Sequence, residues 1–435
     1  MNEAERKAIV RGEQARFDRD EAQKLDQTAA WSGLRDRFWV PQQADGREQV
    51  YLTGNSLGLQ PKEARRYVLE EMDDWARWGV EGHVHARRPW VDYHKGFAPS
   101  LARIVGALPE EVVAMNGLTA NLHLMMVSFY RPQGKRRKIL CEAKAFPSDL
   151  YAFESQIRFH GGAPSDLIAL EPRPGEHLLR TEDVIEVLDR HQEELALVLL
   201  GGVNYYTGQW FEMETLTREA RNRGIAVGWD LAHAAGNVPV RLHDWDADFA
   251  VWCSYKYLNS GPGSVSGVFV HQRHHGLTDI PRFEGWWGHR IQDRFAMPSR
   301  FEPTPTAEAW QLSNAPVLSM AAHRAALDLF DEAGMDRLRT RSLELTAYLE
   351  ATLNRLIRSK NWTWRWISPA DPEQRGAQLS LEVGANGRRF FDYLGQNGVV
   401  ADWREPGVIR MAPAPLYNTF EDLAQLYSIC ERYEA

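Results

Sequence analysis

The sequence predicts an α/β protein: a large domain with a mostly parallel sheet covered by helices on both faces, and a smaller α+β domain after it. Three observations predict this. Through the middle of the chain, short apolar runs alternate with longer amphipathic stretches, the pattern of strands joined by crossover helices. Two of those runs, LALVLL (195–200) and IAVGW (225–229), are apolar throughout, as strands buried on both faces require. After Pro316 the alternation stops, and a long helical region gives way to shorter strands and helices.

In chain order, the opening stretch MNEAERKAIVRGEQARFDRDEAQKL is mixed-charge with helical spacing, unlike a signal peptide. Residues 1–50 are expected to form a helical segment packing on the small domain. Strands are predicted at 112–116, 138–142, 167–170, 196–200, 225–230, 249–254 and 266–271, with helical spacing at 181–194 and 212–223 between them. These belong to a large domain spanning 51–316. The small domain, 317–435, is predicted to hold a helical region to about Lys360, the strand AQLSLEV, a helix near 388–396, the strands VVADW and VIRMAP, and a last helix from Thr419.

Composition bounds the function. The 435 residues carry 51 Lys+Arg against 59 Asp+Glu, a net charge of −8, with no dense basic block. Nucleic acid and anionic membrane are therefore poor candidates for the main partner. The most apolar stretch, 195–203, falls well short of the roughly 20 residues a membrane span needs. Three cysteines (Cys141, Cys253, Cys430) lie far apart, which supports neither a disulfide framework nor a Cys-based zinc site. A cytoplasmic, metabolite-handling protein is the expected class.

Ligands of open α/β sheets bind outside the carboxyl ends of the strands. After the first strand, Gly117-Leu118-Thr119 opens a helix, which is either a phosphate seat or a plain N-cap. After the second, Phe146 and Asp149 either stack on and hydrogen-bond a flat ring or form a turn around a buried Phe. Asp230 ends an apolar strand and needs a cationic partner, either a ligand or a structural Arg. Lys256 follows the run FAVWCSY, where apolar surroundings favour the free, nucleophilic amine. An Asp and a Lys at successive strand ends are the pair that pyridoxal phosphate needs: a Schiff-base lysine and a partner for the pyridine nitrogen.

Other patterns carry less. Gly261-Pro262-Gly263-Ser264-Val265-Ser266-Gly267 leads into a strand rather than a helix, so a nicotinamide site is not expected. His271, His274 and His275, and the pair His83 and His85, lack the companion ligands of a metal site, and no metal is expected. The sequon Asn361-Trp362-Thr363 stands without other signs of secretion.

Taken together, GNSLGLQPK (54–62), GH…RRPW (82–90), LTANLHL (118–124), EAKAFPSD (142–149), YYTGQ (205–209), DLAHAAGN (230–237), HDW (243–245), WCSYKYLNSGPG (252–263), GWWGH (285–289), LSNAP (312–316) and IRMAPAPLYN (409–418) resemble the kynureninase family. These are fold-type-I pyridoxal phosphate enzymes of tryptophan catabolism and pyridine nucleotide biosynthesis, in the aspartate aminotransferase-like superfamily. The likeness runs from about Tyr51 to the last helix. It implies Lys256 as the Schiff-base lysine, Asp230 as the pyridinium partner, and Leu118 and Thr119 on the phosphate side. Phe146 is implied to stack on the ring, with Asp149 and His233 beside it, and Tyr255 to contact phosphate and act as acid or base. Trp286 and Asn314 match contacts made from a neighbouring subunit, which implies a homodimer with shared sites. Arg410 matches the grip on the substrate carboxylate, and His83, Ser313 and Asn314 the pocket for the aryl ring.

The implied reaction is hydrolysis of L-kynurenine, or its 3-hydroxy analogue, to anthranilate (or 3-hydroxyanthranilate) and L-alanine. The polar aryl pocket points to good acceptance of the 3-hydroxy substrate. One departure stands out: Gly201 lies where the family commonly has Ser or Thr, and it is not expected in the site. The alternatives are another fold-type-I lyase or a class V aminotransferase. A cysteine desulfurase would need a mobile cysteine, which none of the three fits.

Overall fold

A computed structural model describes residues 3–28, 33–384 and 387–434. By contact density the chain divides into two compact units: Met1–Lys62, Tyr206–Trp210 and Ala333–Ala435 form one, and Glu63–Tyr205 with Phe211–Glu332 the other.

Among the described residues, the larger unit holds a seven-stranded sheet: β1 Val112–Met115, β2 Lys138–Glu142, β3 Leu167–Leu170, β4 Leu195–Gly201, β5 Ala226–Asp230, β6 Phe249–Trp252 and β7 Ser266–Val270. The spatial order is β1-β7-β6-β5-β4-β2-β3. Pairs from β3 to β6 are parallel, and β7 runs antiparallel to both β1 and β6. All seven predicted strands are present, each with ends within two residues of those expected. The continuous apolar runs are explained by β4 and β5, whose residues from Leu197 to Leu200 and from Val227 to Trp229 are buried on both faces. Glycines make room for the largest core rings: a Cβ on Gly267 would fall 2.1 Å from the Trp252 ring, and one on Gly228 would meet Phe249 as closely.

Family-like motifs outside the sheet ends have structural work. Fully buried Glu71 accepts from Arg88, Trp90 and Tyr93, gathering the RRPW segment. His243 of HDW lies 3.0 Å from the Glu111 carboxylate, which also accepts the Leu108 and Gln272 N–H groups.

In the smaller unit, a four-stranded antiparallel sheet orders Arg365–Trp366, Leu379–Glu382, Val408–Met411 and Asp402–Arg404. In the same unit lie the N-terminal helices Glu3–Val10 and Arg19–Thr28: Val10, Phe17 and Leu25 share one core with Leu345, Leu381, Ile409 and Leu423. Three expectations are corrected. The single helical region to Lys360 is two helices, Val317–Ala333 and Met335–Ser359, because Gly334 sits at φ 76° and breaks the run. The helix Val317–Ala333 belongs almost wholly to the larger unit, through His323 against Phe97 and Ser260 and through Asp331 to Ser100. Residues 50–62 go instead with the smaller unit, where Val50–Tyr51 pairs with Val399–Val400. Among the described residues no helix is long and apolar enough to cross a membrane.

Candidate active site

At the carboxyl end of the sheet, β2, β4, β5 and β6 are consecutive neighbours, so Glu142, Gly201 and Asp230 end side by side and the Lys256 turn follows next to them. A cavity opens there. Its lining brings together Leu118, Thr119, Phe146, Asp149, Asp230, His233, Tyr255 and Lys256, all named from the sequence. Glu142, Ser148, Gly201, Val203, Tyr205 and Ala232 also line it and were not. Gly201 is thus a correction: it lies in the site it was expected to be left out of.

Two helices begin at this cavity. Leu118–Phe129 starts after Gly117 with no side-chain cap, and Pro147–Phe159 starts after Phe146, also uncapped. Asn121 fixes the first turn by donating to Met115 O and accepting from Asn116. Thr119 Oγ1 and Ser148 Oγ, one from each helix start, lie 2.8 Å apart. Two converging helix N-termini with facing hydroxyls suit a phosphate.

Opposite them, Lys256 is held in a turn closed by Asn259 N–H to Lys256 O at 3.0 Å and Ser260 N–H to Ser254 O at 3.1 Å. Asn259 takes the left-handed conformation that this reversal needs. The Lys256 Nζ lies 3.0 Å from His233 Nε2 and 5.7 Å from the centre of the Phe146 ring. Phe146 is 41% exposed, an open face for a flat ligand, and meets Tyr205 edge-on at 5.3 Å. Burial, then the neighbouring Cys253 and Asp230, push the Tyr255 hydroxyl up, so it is a protonated donor at neutral pH.

Between these walls lie three carboxyls. Asp230 is fixed by Ala232 N–H at 2.7 Å. Asp149 is buried and faces it; burial first, then Asp230 and Glu142, hold the Asp149 carboxyl well above the usual range, against the pull of Lys256. Its Oδ1 is buried with no donor among the described residues. A ligand bearing a phosphate, a flat ring, a group that bonds an amine and a ring N–H fits this set, and pyridoxal phosphate has all four.

The remaining predicted residues lie outside the cavity lining. His83 is half-buried, with Nδ1 3.0 Å from Val80 O. Trp286 is 46% exposed and donates to Arg294 O; Ser313 and Asn314 are exposed. Arg410, in the smaller unit, is buried and donates to Asp402 across adjacent strands.

Comparison with known proteins decides the family. Relatives named kynureninase from Christiangramia forsetii and Myxococcus xanthus are 52% and 55% identical over 95% and 94% of this chain, covering 97% and 96% of theirs. The chain belongs to the kynureninase family. The profile of the kynureninase C-terminal domain matches residues 338–430. Among solved structures, a cystine C–S lyase with its product cysteine persulfide superposes with a TM-score of 0.73 at 16% identity, over 89% of this chain and 98% of that one. The Escherichia coli cysteine desulfurase CsdA gives 0.73 at 17% identity, over 92% and 96%. Likeness at this identity shows a shared fold.

Proposed function

We propose that this chain is a pyridoxal phosphate-dependent hydrolase that cleaves the Cβ–Cγ bond of L-kynurenine or 3-hydroxy-L-kynurenine, releasing alanine and the anthranilate. The observation that carries it is the amine of Lys256 set among Phe146, His233 and the facing carboxyls Asp149 and Asp230, opposite two helix N-termini. Family membership supports the reaction. The fold neighbour whose cofactor site carries glycine linked to pyridoxal phosphate supports the cofactor.

Thr119, Ser148 and the uncapped helix starts would hold the phosphate, and Phe146 would cover the ring face. Asp230, with Asp149 beside it, would keep the ring nitrogen protonated. When bound, the cofactor supplies an electron-accepting ring and an aldehyde that bonds amines. Lys256 would take the substrate α-proton with its amine, with His233 as the adjoining proton partner. Tyr255, protonated at neutral pH, can donate a proton to the departing side chain. Arg410 would grip the substrate carboxylate through its planar fork, in exchange for part of its bond to Asp402. A desulfurase reading is weaker, since Cys141, Cys253 and Cys430 are all buried and burial pushes their thiols up.

Purified protein is expected to be yellow, to lose that colour on borohydride reduction, and to form fluorescent anthranilate from kynurenine. Colour without product would retain the cofactor and discard the reaction. Comparing kcat/KM for the two substrates is expected to show 3-hydroxykynurenine used at least as well; a strong preference for kynurenine would remove His83, Ser313 and Asn314 as hydroxyl partners.

A homodimer completes this reading. Trp286, Ser313 and Asn314 are exposed, and the same stretch exposes Leu277, Phe283, Phe295 and Met297. Exposed apolar side chains gathered along one stretch of chain suit an interface between subunits. If Trp286 and Asn314 serve the neighbouring subunit, mixing inactive K256A with an inactive W286A/N314A variant restores activity. Random pairing makes about half the dimers hybrid, each with one intact site, so about a quarter of wild-type activity returns. Absence of any recovery would place these residues outside the site.

A further inference from the structure

We propose that Glu142 is a positioning residue of this site: seated in the space left by the missing side chain of Gly201, it buttresses the carboxyls Asp149 and Asp230, and with them the grip on a cationic ring nitrogen. The proposal rests on the pyridoxal phosphate reading above.

Geometry carries it. Glu142 is the last residue of β2, is 5% exposed, and lines the same cavity as Lys256. Its carboxyl accepts the Gly201 N–H across the strand pair, at 3.2 Å to Oε1 and 3.4 Å to Oε2. A Cβ on Gly201 would fall 3.0 Å from Oε1, so the carboxyl occupies room that any larger residue would invade. Gly201 in turn is in register with Asp230. Gly201 therefore links the two carboxyl residues, through its N–H to Glu142 and through its strand register to Asp230.

The charged groups around it are few. Asp149 faces it from the following helix, Asp230 and His233 from beyond Gly201, and Lys256 from the next turn; Lys144, on its own turn, is exposed. Three ionised carboxylates here would face one lysine and one histidine, and an unpaired buried carboxylate is costly. Asp149 feels the attraction of Lys256, whereas Glu142 has a backbone N–H for a donor. A proton on Glu142 lowers the excess negative charge packed beside Asp149 and Asp230. Burial, opposed by backbone hydrogen bonds and reinforced by Asp230, raises the Glu142 carboxyl to about 7, so the proton is held below neutrality and released above it.

Infrared difference spectra of the holoenzyme across pH 7 test this directly. We expect a protonated-carboxyl band that disappears as pH rises and that is missing in E142Q. A band unchanged in E142Q would overturn the assignment. Cofactor affinity gives a second readout that does not need E142Q to fold. G201A, whose backbone conformation alanine tolerates, is expected to weaken pyridoxal phosphate binding about tenfold with Glu142 present and hardly at all beside E142A, the signature of two coupled neighbours. Equal effects in both backgrounds would refute the coupling. Failure of the wild-type protein to bind pyridoxal phosphate would instead remove the underlying reading.

Discussion

Replacing Lys256 with Ala is expected to lower kcat by about 10⁴-fold or more, the upper range for loss of a general base, because the same nitrogen also provides the covalent anchor. Among the described residues no other lysine lines the cavity. The turn that presents it is held by the bonds from Asn259 and Ser260 to the main chain, which the substitution leaves intact, so folding is expected to be preserved. Arginine at the same place keeps a cation near Asp149 but can neither form the imine nor give up a proton readily. K256R should therefore fail as completely as K256A, which separates chemistry from electrostatics. Steady-state turnover of kynurenine, with borohydride labelling of the wild-type lysine followed by peptide mapping, checks both. Turnover within tenfold of wild type in either variant, or a label on another lysine, would sink the assignment.

The ease of finding Lys256 and Asp230 in the sequence has a physical basis. Each ends a run of apolar residues in which a charged group is conspicuous, and strand ends are where α/β sheets place ligands. The seven strands were legible for the same reason: burial on both faces leaves a continuous apolar run whose limits are set by polar turns. Glu142 obeys the same rule, ending the run KILC, and the reasoning applied to Asp230 would have found it. What hid it was non-local: its neighbour Gly201 is 59 residues away, and their pairing depends on β4 lying between β2 and β5. Helix limits were legible to within a few residues except at Gly334. There an isolated glycine amid helical spacing gave too weak a signal against strong periodicity on both sides, although its positive φ ends the first helix. The pairing of Arg410 with Asp402 was likewise invisible, since it follows from the register of two short antiparallel strands.

Asp230→Asn is the second large effect expected, a loss of about 10²- to 10³-fold in kcat. Breaking a buried charge pair costs about 3–5 kcal/mol, and each 1.4 kcal/mol is a factor of ten. The variant keeps the shape of the side chain and an oxygen for the Ala232 N–H, so the loss measures charge. It is not expected to be complete, because Asp149 stands opposite. Part of what holds the Asp149 carboxyl high is the charge of Asp230 itself, after the larger effect of burial. With Asp230 neutralised that repulsion goes, Asp149 ionises more easily, and it becomes the remaining anion for the ring nitrogen. D149N alone should therefore cost much less than D230N, while the double variant should lose more than the product of the two single losses. Independent sites would multiply; a backup that only matters when the first partner is gone does not. Single and double variants, compared by kcat and by the pH dependence of the visible absorption of the cofactor-loaded protein, test this. Losses that simply multiply would show that Asp149 does not share the role, and a D230N enzyme within fivefold of wild type would show that Asp230 does not hold it.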